Sequence, residues 1–271
     1  MPALSAQVDQ YSIVIEVGQV PVRVNTNDPE FLRILHGGYG GFLSSSENTA
    51  IDFDVEITPP LLDDPDADVE VSHARGRWFL RRGDFRAEWN PATRRGWVRQ
   101  TANPYAIDSV LRIVHSLVLA QQGGFLLHSA SAIRNGKAFL FAGESGAGKT
   151  TISSLMPPDA ILLTDEIAYV RRHDEKYIAF GTPFTGELAR PGQNVSAPIA
   201  TLYLLGKGKE NRIDPVEPVE AARSLLANML FFAKDEPLVQ AVFHSAFEFV
   251  QRVPVARLTF VPDTRVWELI G

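Results

Sequence analysis

Alternating apolar and polar positions make the first part of the chain strand-rich. Residues 11–24 alternate Val and Ile with polar residues around a Gly-Gln pair, which predicts two short strands. Residues 51–57 alternate apolar and acidic positions and predict a half-buried strand. A short helix from Glu30 is expected to end at the glycine pair after His36. Turn residues divide 69–101 into four more strand-like runs, which predicts an antiparallel meander.

The hydrophobic pattern takes a helical period after this meander. Asn103 can cap a helix whose first position is Pro104, and apolar residues at helical spacing follow. A glycine pair ends this helix. Two strands are then expected at 125–133 and 137–142, because an Asn-Gly pair between them is a strong hairpin signal.

The rest of the chain predicts two helices near 218–233 and 237–250 and a closing strand at 256–261. We place a domain boundary at residue 102, where the pattern changes. The prediction is a strand-rich α+β region over 1–102 and a second domain over 103–271.

Charge and composition narrow the classes of function. The chain has no cysteine, which excludes disulfides, cysteine-based metal sites and a thiol nucleophile. A formal charge of −6 argues against nucleic acid or an anionic membrane as a partner. The helix candidate at 107–120 is too short and too charged to span a bilayer, and no signal peptide is recognisable. We expect a cytoplasmic protein.

The N-terminal region separates its charges along the sequence. Residues 51–70 hold eight acids and no base, whereas 75–99 are rich in arginine. Either strands of opposite charge pair across one sheet, or an arginine face receives a phosphorylated or acidic partner. The arginines concerned are Arg75, Arg77, Arg81, Arg82, Arg86, Arg94, Arg95 and Arg99.

Residues 143–150 read GESGAGKT and match the phosphate-loop pattern G-x-x-x-x-G-K-[ST]. The motif follows an apolar strand and opens a helix, as binding of phosphate by backbone N–H groups requires. Lys149 is expected to reach the β- and γ-phosphates, and Thr150 to offer its hydroxyl to Mg²⁺. We therefore expect ATP to contact Gly143, Glu144, Ser145, Gly146, Ala147, Gly148, Lys149, Thr150 and Thr151.

A second landmark is the apolar run that ends in Asp165 and Glu166. A carboxylate at a strand end is a usual way to hold Mg²⁺ beside a phosphate loop. Pro157 and Pro158 must end the intervening helix early. The acidic strand is therefore the next one along the chain, which is an unusually compact order.

The run LLHSASAIRNGKAFLFAGESGAGKTTISSLMPPDAILLTDEIAYV resembles the core of HPr kinase/phosphorylase and its relatives. The resemblance is specific over about residues 125–172. It implies an α/β fold with a P-loop kinase core of the HPr kinase and phosphoenolpyruvate carboxykinase type, preceded by the strand-rich α+β region.

The resemblance also implies roles for individual residues. His128 matches a family position near the active site, and Asp165 matches the general base toward the acceptor hydroxyl. Glu166 stands where the family usually has Asp. Glu187, in a glycine-rich stretch, stands near the place of a metal-binding Glu. The implied catalytic residues are Asp165, His128 and Lys149, and the implied metal ligands are Thr150, Asp165, Glu166 and Glu187.

The function expected from these features is Mg²⁺-ATP-dependent phosphoryl transfer to a hydroxyl of a protein, peptide or small molecule. The N-terminal region is a candidate for acceptor recognition, and the family includes ring-like homo-oligomers. Glu166 and the altered 181–187 segment motivate an alternative, a nucleotide-binding adaptor or regulatory protein without phosphoryl transfer.

Overall fold

The computed structural model describes residues 10–59 and 67–271. These residues form a mixed α/β structure with two large sheets. Two compact units are present, the first ending at Arg112 and the second spanning Ile113–Gly271. The division falls inside a helix, later in the chain than residue 102.

The first unit contains a seven-stranded sheet. Its strands are β1 (Tyr11–Val17), β2 (Val20–Thr26), β3 (Ile51–Ile57), β4 (Glu70–Ala74), β5 (Arg77–Arg82), β6 (Phe85–Asn90) and β7 (Arg95–Gln100). They lie in the order β1-β2-β3-β7-β6-β5-β4. The antiparallel pairing of β4 with β5, β5 with β6 and β6 with β7 confirms the predicted meander. The β1–β2 hairpin is also confirmed.

Helix α1 (Pro29–Tyr39) corrects one predicted boundary, because it continues through the glycine pair that was expected to end it. The side chain of Asp28 caps its first turn by accepting from two backbone N–H groups. Its last residue, Tyr39, is buried, and its hydroxyl donates to Asp108 at 3.2 Å. This anchor explains why the last turn forms despite the low helix propensity of glycine.

Four arginines of the meander pair with acids on the solvent-facing side of the sheet, and Arg82 pairs with Asp84 in a partly buried position. Three of the eight acids in residues 51–70 lie outside the residues that the structure describes. Exposed pairs of this kind each stabilise a fold by only about 0–1 kcal/mol. This geometry favours charge pairing within the sheet, and an acceptor-binding face stays a hypothesis. The pairs are Arg77–Glu88 (2.6 Å), Arg81–Glu70 (2.7 Å), Arg82–Asp84 (2.6 Å), Arg95–Asp54 (3.9 Å) and Arg99–Glu56 (2.6 Å).

The second unit contains a nine-stranded sheet. Helix α2 (Pro104–Gln121) leads into it from the first unit. The strands are β8 (Phe125–Arg134), β9 (Lys137–Ala142), β10 (Ile161–Thr164), β11 (Ile167–His173), β12 (Lys176–Phe180), β13 (Ser196–Lys207), β14 (Arg212–Pro215), β15 (Met229–Leu230) and β16 (Val255–Phe260). The helices are α3 (Lys149–Ser154), α4 (Pro218–Asn228) and α5 (Glu236–Arg252).

Two local predictions for this unit have different outcomes. The β8–β9 hairpin is confirmed, with Asn135 and Gly136 at φ of 50° and 71° in its turn. The predicted extension of α4 to residue 233 is wrong. Helix α4 ends at Asn228, because Met229 and the next residue pair as a short strand with β8.

Three parallel strands create the edge at which the site lies. β13 pairs in parallel with both β9 and β16, so their carboxyl ends meet at one edge of the sheet. Ile152 of α3 packs on one face, and Leu225 and Phe249 of α4 and α5 pack on the other. Ligands of open α/β sheets bind beyond such carboxyl ends. In the described ranges, no helix has the length and apolar character to cross a membrane.

Candidate functional site

A glycine loop, residues 143–148, joins the carboxyl end of β9 to α3. Gly146 and Gly148 have φ of 76° and 111°, a left-handed region that L side chains rarely adopt. A Cβ built on Gly148 would lie 2.8 Å from Cζ of Phe260. Backbone conformation and the close aromatic ring therefore both require glycine where the loop enters the helix.

Lys149 is the first residue of α3, and its side chain folds back over the glycine loop. Its Nζ donates to the backbone oxygens of Gly143 at 2.9 Å and Glu144 at 3.3 Å. Burial lowers the pKa of Lys149, while the negative charges of Glu187 and Glu166 raise it by a smaller amount. Two carboxylates are thus close enough to act on the ammonium group electrostatically.

Thr150 contacts an acid that is distant in sequence. Its Oγ1 donates to Oε2 of Glu187 at 2.9 Å. Thr151 follows in the same helical turn, half-buried, and its carbonyl accepts from Leu155 N–H. The structure therefore brings a hydroxyl from the helix and a carboxylate from the segment of residues 181–195 to one point.

Asp165, at the end of β10, holds the backbone on both sides of Glu187. Gly186 N–H donates to Oδ1 of Asp165 at 3.0 Å, and Leu188 N–H donates to Oδ2 at 2.9 Å. Asp165 is buried, with only 4% of its surface exposed. Both carboxylate oxygens therefore contribute to the position of Glu187, a supporting role that the sequence did not suggest.

Glu166 and His128 are placed by strand pairing. The Oγ1 of Thr164 accepts from the N–H of Glu166 at 3.1 Å and turns the chain between β10 and β11. Glu166 O accepts from Ser129 N–H at 2.9 Å. His128 is half-buried on β8 and lies opposite Ile167, the residue after Glu166. The predicted histidine therefore borders the predicted acidic pair.

Two glycines hold the segment that carries Glu187 in place: Gly181, the first residue of the predicted glycine-rich stretch, and Gly192, which the sequence analysis did not single out. A Cβ built on Gly181 would lie 1.7 Å from Gln193 O, and one on Gly192 would lie 1.7 Å from Leu163 O. Such approaches leave no room for a side chain. The available signal in the sequence was only that glycines flank the segment at both ends.

The described residues contain no group of three or more His, Asp or Glu side chains arranged to hold a metal ion. Thr150 and Glu187 nevertheless place two hard oxygen donors side by side. Mg²⁺ commonly takes one or two protein oxygens and completes its shell with water and phosphate. These two residues fit such an ion when a phosphate supplies the remaining oxygens.

The fold and site together define a mixed α/β protein in which a glycine loop faces acidic residues at the edge of a large sheet. The family model described as "SynChlorMet cassette protein ScmC" matches residues 99–271, and the chain belongs to the ScmC family. No curated protein matches the sequence.

One solved structure similar to this chain is the Hpr(Ser) kinase/phosphatase from Coxiella burnetii, with a TM-score of 0.24 and 13% identity. The match covers 44% of this chain and 93% of the other. These values are too low to assign fold or activity. The matching family model is that of ScmC, and the resemblance to HPr kinase remains a prediction.

Proposed function

We propose that this protein is a Mg²⁺-ATP-dependent phosphotransferase that acts on a hydroxyl group. One observation carries the proposal: Lys149 and Thr150 at the end of the glycine loop lie near Glu187, which accepts a hydrogen bond from Thr150, and Asp165 holds the backbone on both sides of that acid. A cation for phosphate, oxygen ligands for a metal and carboxylates for a proton are the parts that phosphoryl transfer needs.

Binding follows from the loop. A triphosphate takes the backbone N–H groups of residues 143–148 as donors and displaces Lys149 Nζ from the two loop carbonyls. Thr150 and Glu187 would hold Mg²⁺, and the bound ion would neutralise charge on the triphosphate. The electrostatic attraction of Lys149 to Glu187 and Glu166 then gives way to ion pairs of Lys149 with phosphate.

Transfer requires that the acceptor oxygen bond to the γ-phosphorus while the bond from that phosphorus to the β–γ bridging oxygen breaks. ADP is the leaving group, and the acceptor's hydroxyl proton moves to a carboxylate. We propose that Asp165 accepts this proton and that Glu166 lies beside it. The turn at Thr164 brings both residues next to the segment that carries Glu187. His128 borders the pair and suits a role in holding the acceptor hydroxyl.

A nucleotide-binding adaptor is the second candidate, and the hydrogen bonds of Asp165 favour it. Two backbone N–H groups already occupy that carboxylate, as expected of a structural acid. A single-turnover assay with γ-labelled ATP, using water and pooled hydroxyl-bearing peptides as acceptors, separates the two. Release of labelled phosphate or peptide supports transfer. Tight binding of ATP without any transfer supports the adaptor.

Glu187→Gln is expected to raise the Mg²⁺ concentration needed for half-maximal ATP binding by about tenfold, which corresponds to about 1.4 kcal/mol. The amide keeps the size of the side chain and a hydrogen-bond acceptor for Thr150, but it loses the negative charge that a hard cation prefers. The measurement is calorimetric titration with ATP across a Mg²⁺ series.

The matched control for this variant is Glu210→Gln, at an acid whose side chain is 73% exposed and which pairs with Arg212. This control should leave the Mg²⁺ dependence unchanged. Equal Mg²⁺ dependence in wild type and Glu187→Gln would remove Glu187 from the metal site.

A further inference from the structure

A cavity of about 610 Å³ opens beside the glycine loop, on the side away from Thr150. Its floor is the carboxyl end of β13, and one wall is α4. Residues 143–147 of the loop form its rim, whereas Thr150, Asp165, Glu166 and Glu187 are not among its lining residues. The loop therefore separates the acidic site from the cavity.

The lining combines a small apolar surface with hydrogen-bonding groups. Leu204, Leu205 and Ala227 supply the apolar part. The hydroxyl of Ser224 and the side-chain amide of Asn228 supply donors and acceptors, and Asn228 Nδ2 donates to Ser224 O at 2.8 Å. Small-molecule sites commonly have volumes of about 300–1,000 Å³ and combine apolar surface with polar groups that orient the ligand.

An ion pair lies at the margin of this cavity and links two elements. Arg257 on β16 donates to the carboxylate of Glu220 on α4. Both residues also line the cavity. The pair fixes the wall formed by α4 relative to the sheet, and the carboxylate offers an acceptor to a ligand that carries hydroxyl donors.

We propose that this cavity binds the nucleoside part, ribose and base, of the nucleotide whose phosphates lie on the glycine loop. The inference rests on the proposed function and adds the direction of the ligand. The α-phosphate lies toward residues 143–147, and the γ-phosphate lies toward Thr150 and Glu187. The ribose hydroxyls meet Glu220 and Ser224, and the base lies against Ala227.

Ala227→Trp tests this assignment, because residue 227 is exposed on α4 and an indole ring there fills the cavity without disturbing the core. Calorimetry measures the affinities for Mg²⁺-ATP and for inorganic triphosphate, which has no nucleoside. ATP affinity should fall about tenfold or more, while triphosphate affinity stays as in wild type. Ser224→Leu, on the same wall, should act in the same direction.

The control is Val219→Trp, at a residue of the same helix that is 78% exposed and does not line the cavity. It should change neither affinity. Unchanged ATP affinity in both cavity variants, or an equal fall for ATP and triphosphate, overturns the nucleoside site and leaves the phosphate site in place. A wild-type protein that binds neither ligand overturns the proposed function and this inference with it.

Discussion

Lys149→Ala is expected to weaken ATP binding, and with it phosphoryl transfer, by about 100-fold or more. The change removes the cation that faces the β- and γ-phosphates, and hydrogen bonds to a charged partner contribute about 1.5–3 kcal/mol each. The variant also loses the contacts from Nζ to Gly143 O and Glu144 O. Calorimetry with ATP, followed by single-turnover release of labelled phosphate, measures both quantities.

The matched control is Lys137→Ala, an exposed lysine at the start of the strand that leads into the glycine loop. Its loss should change neither binding nor turnover. If Lys149→Ala binds and turns over ATP as wild type does, the glycine loop is not a triphosphate site and the proposed function falls.

Asp165→Asn is expected to abolish phosphoryl transfer while ATP binding in the absence of Mg²⁺ stays within about twofold of wild type. The glycine loop and Lys149 hold the triphosphate in this proposal, whereas Asp165 hydrogen-bonds to the backbone of Gly186 and Leu188. An amide cannot take the acceptor's proton. It also presents an NH₂ group to the N–H of Gly186 or Leu188, where a carboxylate oxygen accepts now.

A double-mutant cycle with Glu187→Gln separates the two roles of Asp165. If Asp165 acts only by holding Glu187, the two single variants share one phenotype and the double variant adds nothing. If it takes the proton, Asp165→Asn loses transfer far more completely than Glu187→Gln, and raised Mg²⁺ does not restore it. Full activity of Asp165→Asn would exclude it from the mechanism.

Local signals in the sequence predicted the elements that depend on neighbouring residues. The Asn135-Gly136 turn, the Pro104 helix start and the alternation in the meander each act over a few residues, and the structure has them as expected. The strand, glycine loop and short helix around residues 143–150 are predicted in the same way, because glycine stands at the positions where the loop needs a positive φ.

Features that depend on distant contacts could not be predicted from the sequence. The family resemblance placed Thr150 and Glu187 around one metal ion, but it did not give the hydrogen bond between them, which joins residues 37 positions apart. The placement of Glu187 depends on Asp165 and on glycines at the ends of its segment. Helix α4 ends at Asn228 because the next residues pair as a strand with β8. Helix propensity alone does not reveal this pairing, because β8 is distant in sequence. The cavity beside the loop likewise exists only when α4 lies over β13.

The close packing of Gly181 and Gly192 against backbone carbonyl groups affects which substitutions the protein can tolerate. A single methyl group at either position meets a carbonyl oxygen at 1.7 Å. Alanine there must shift the segment that carries Glu187, so activity falls although no reacting group has changed. A mutational scan of the chain will therefore show that substitutions at Gly181 and Gly192 are not tolerated, although neither glycine has a side chain that could react. These two positions identify the backbone contacts that hold Glu187 in place.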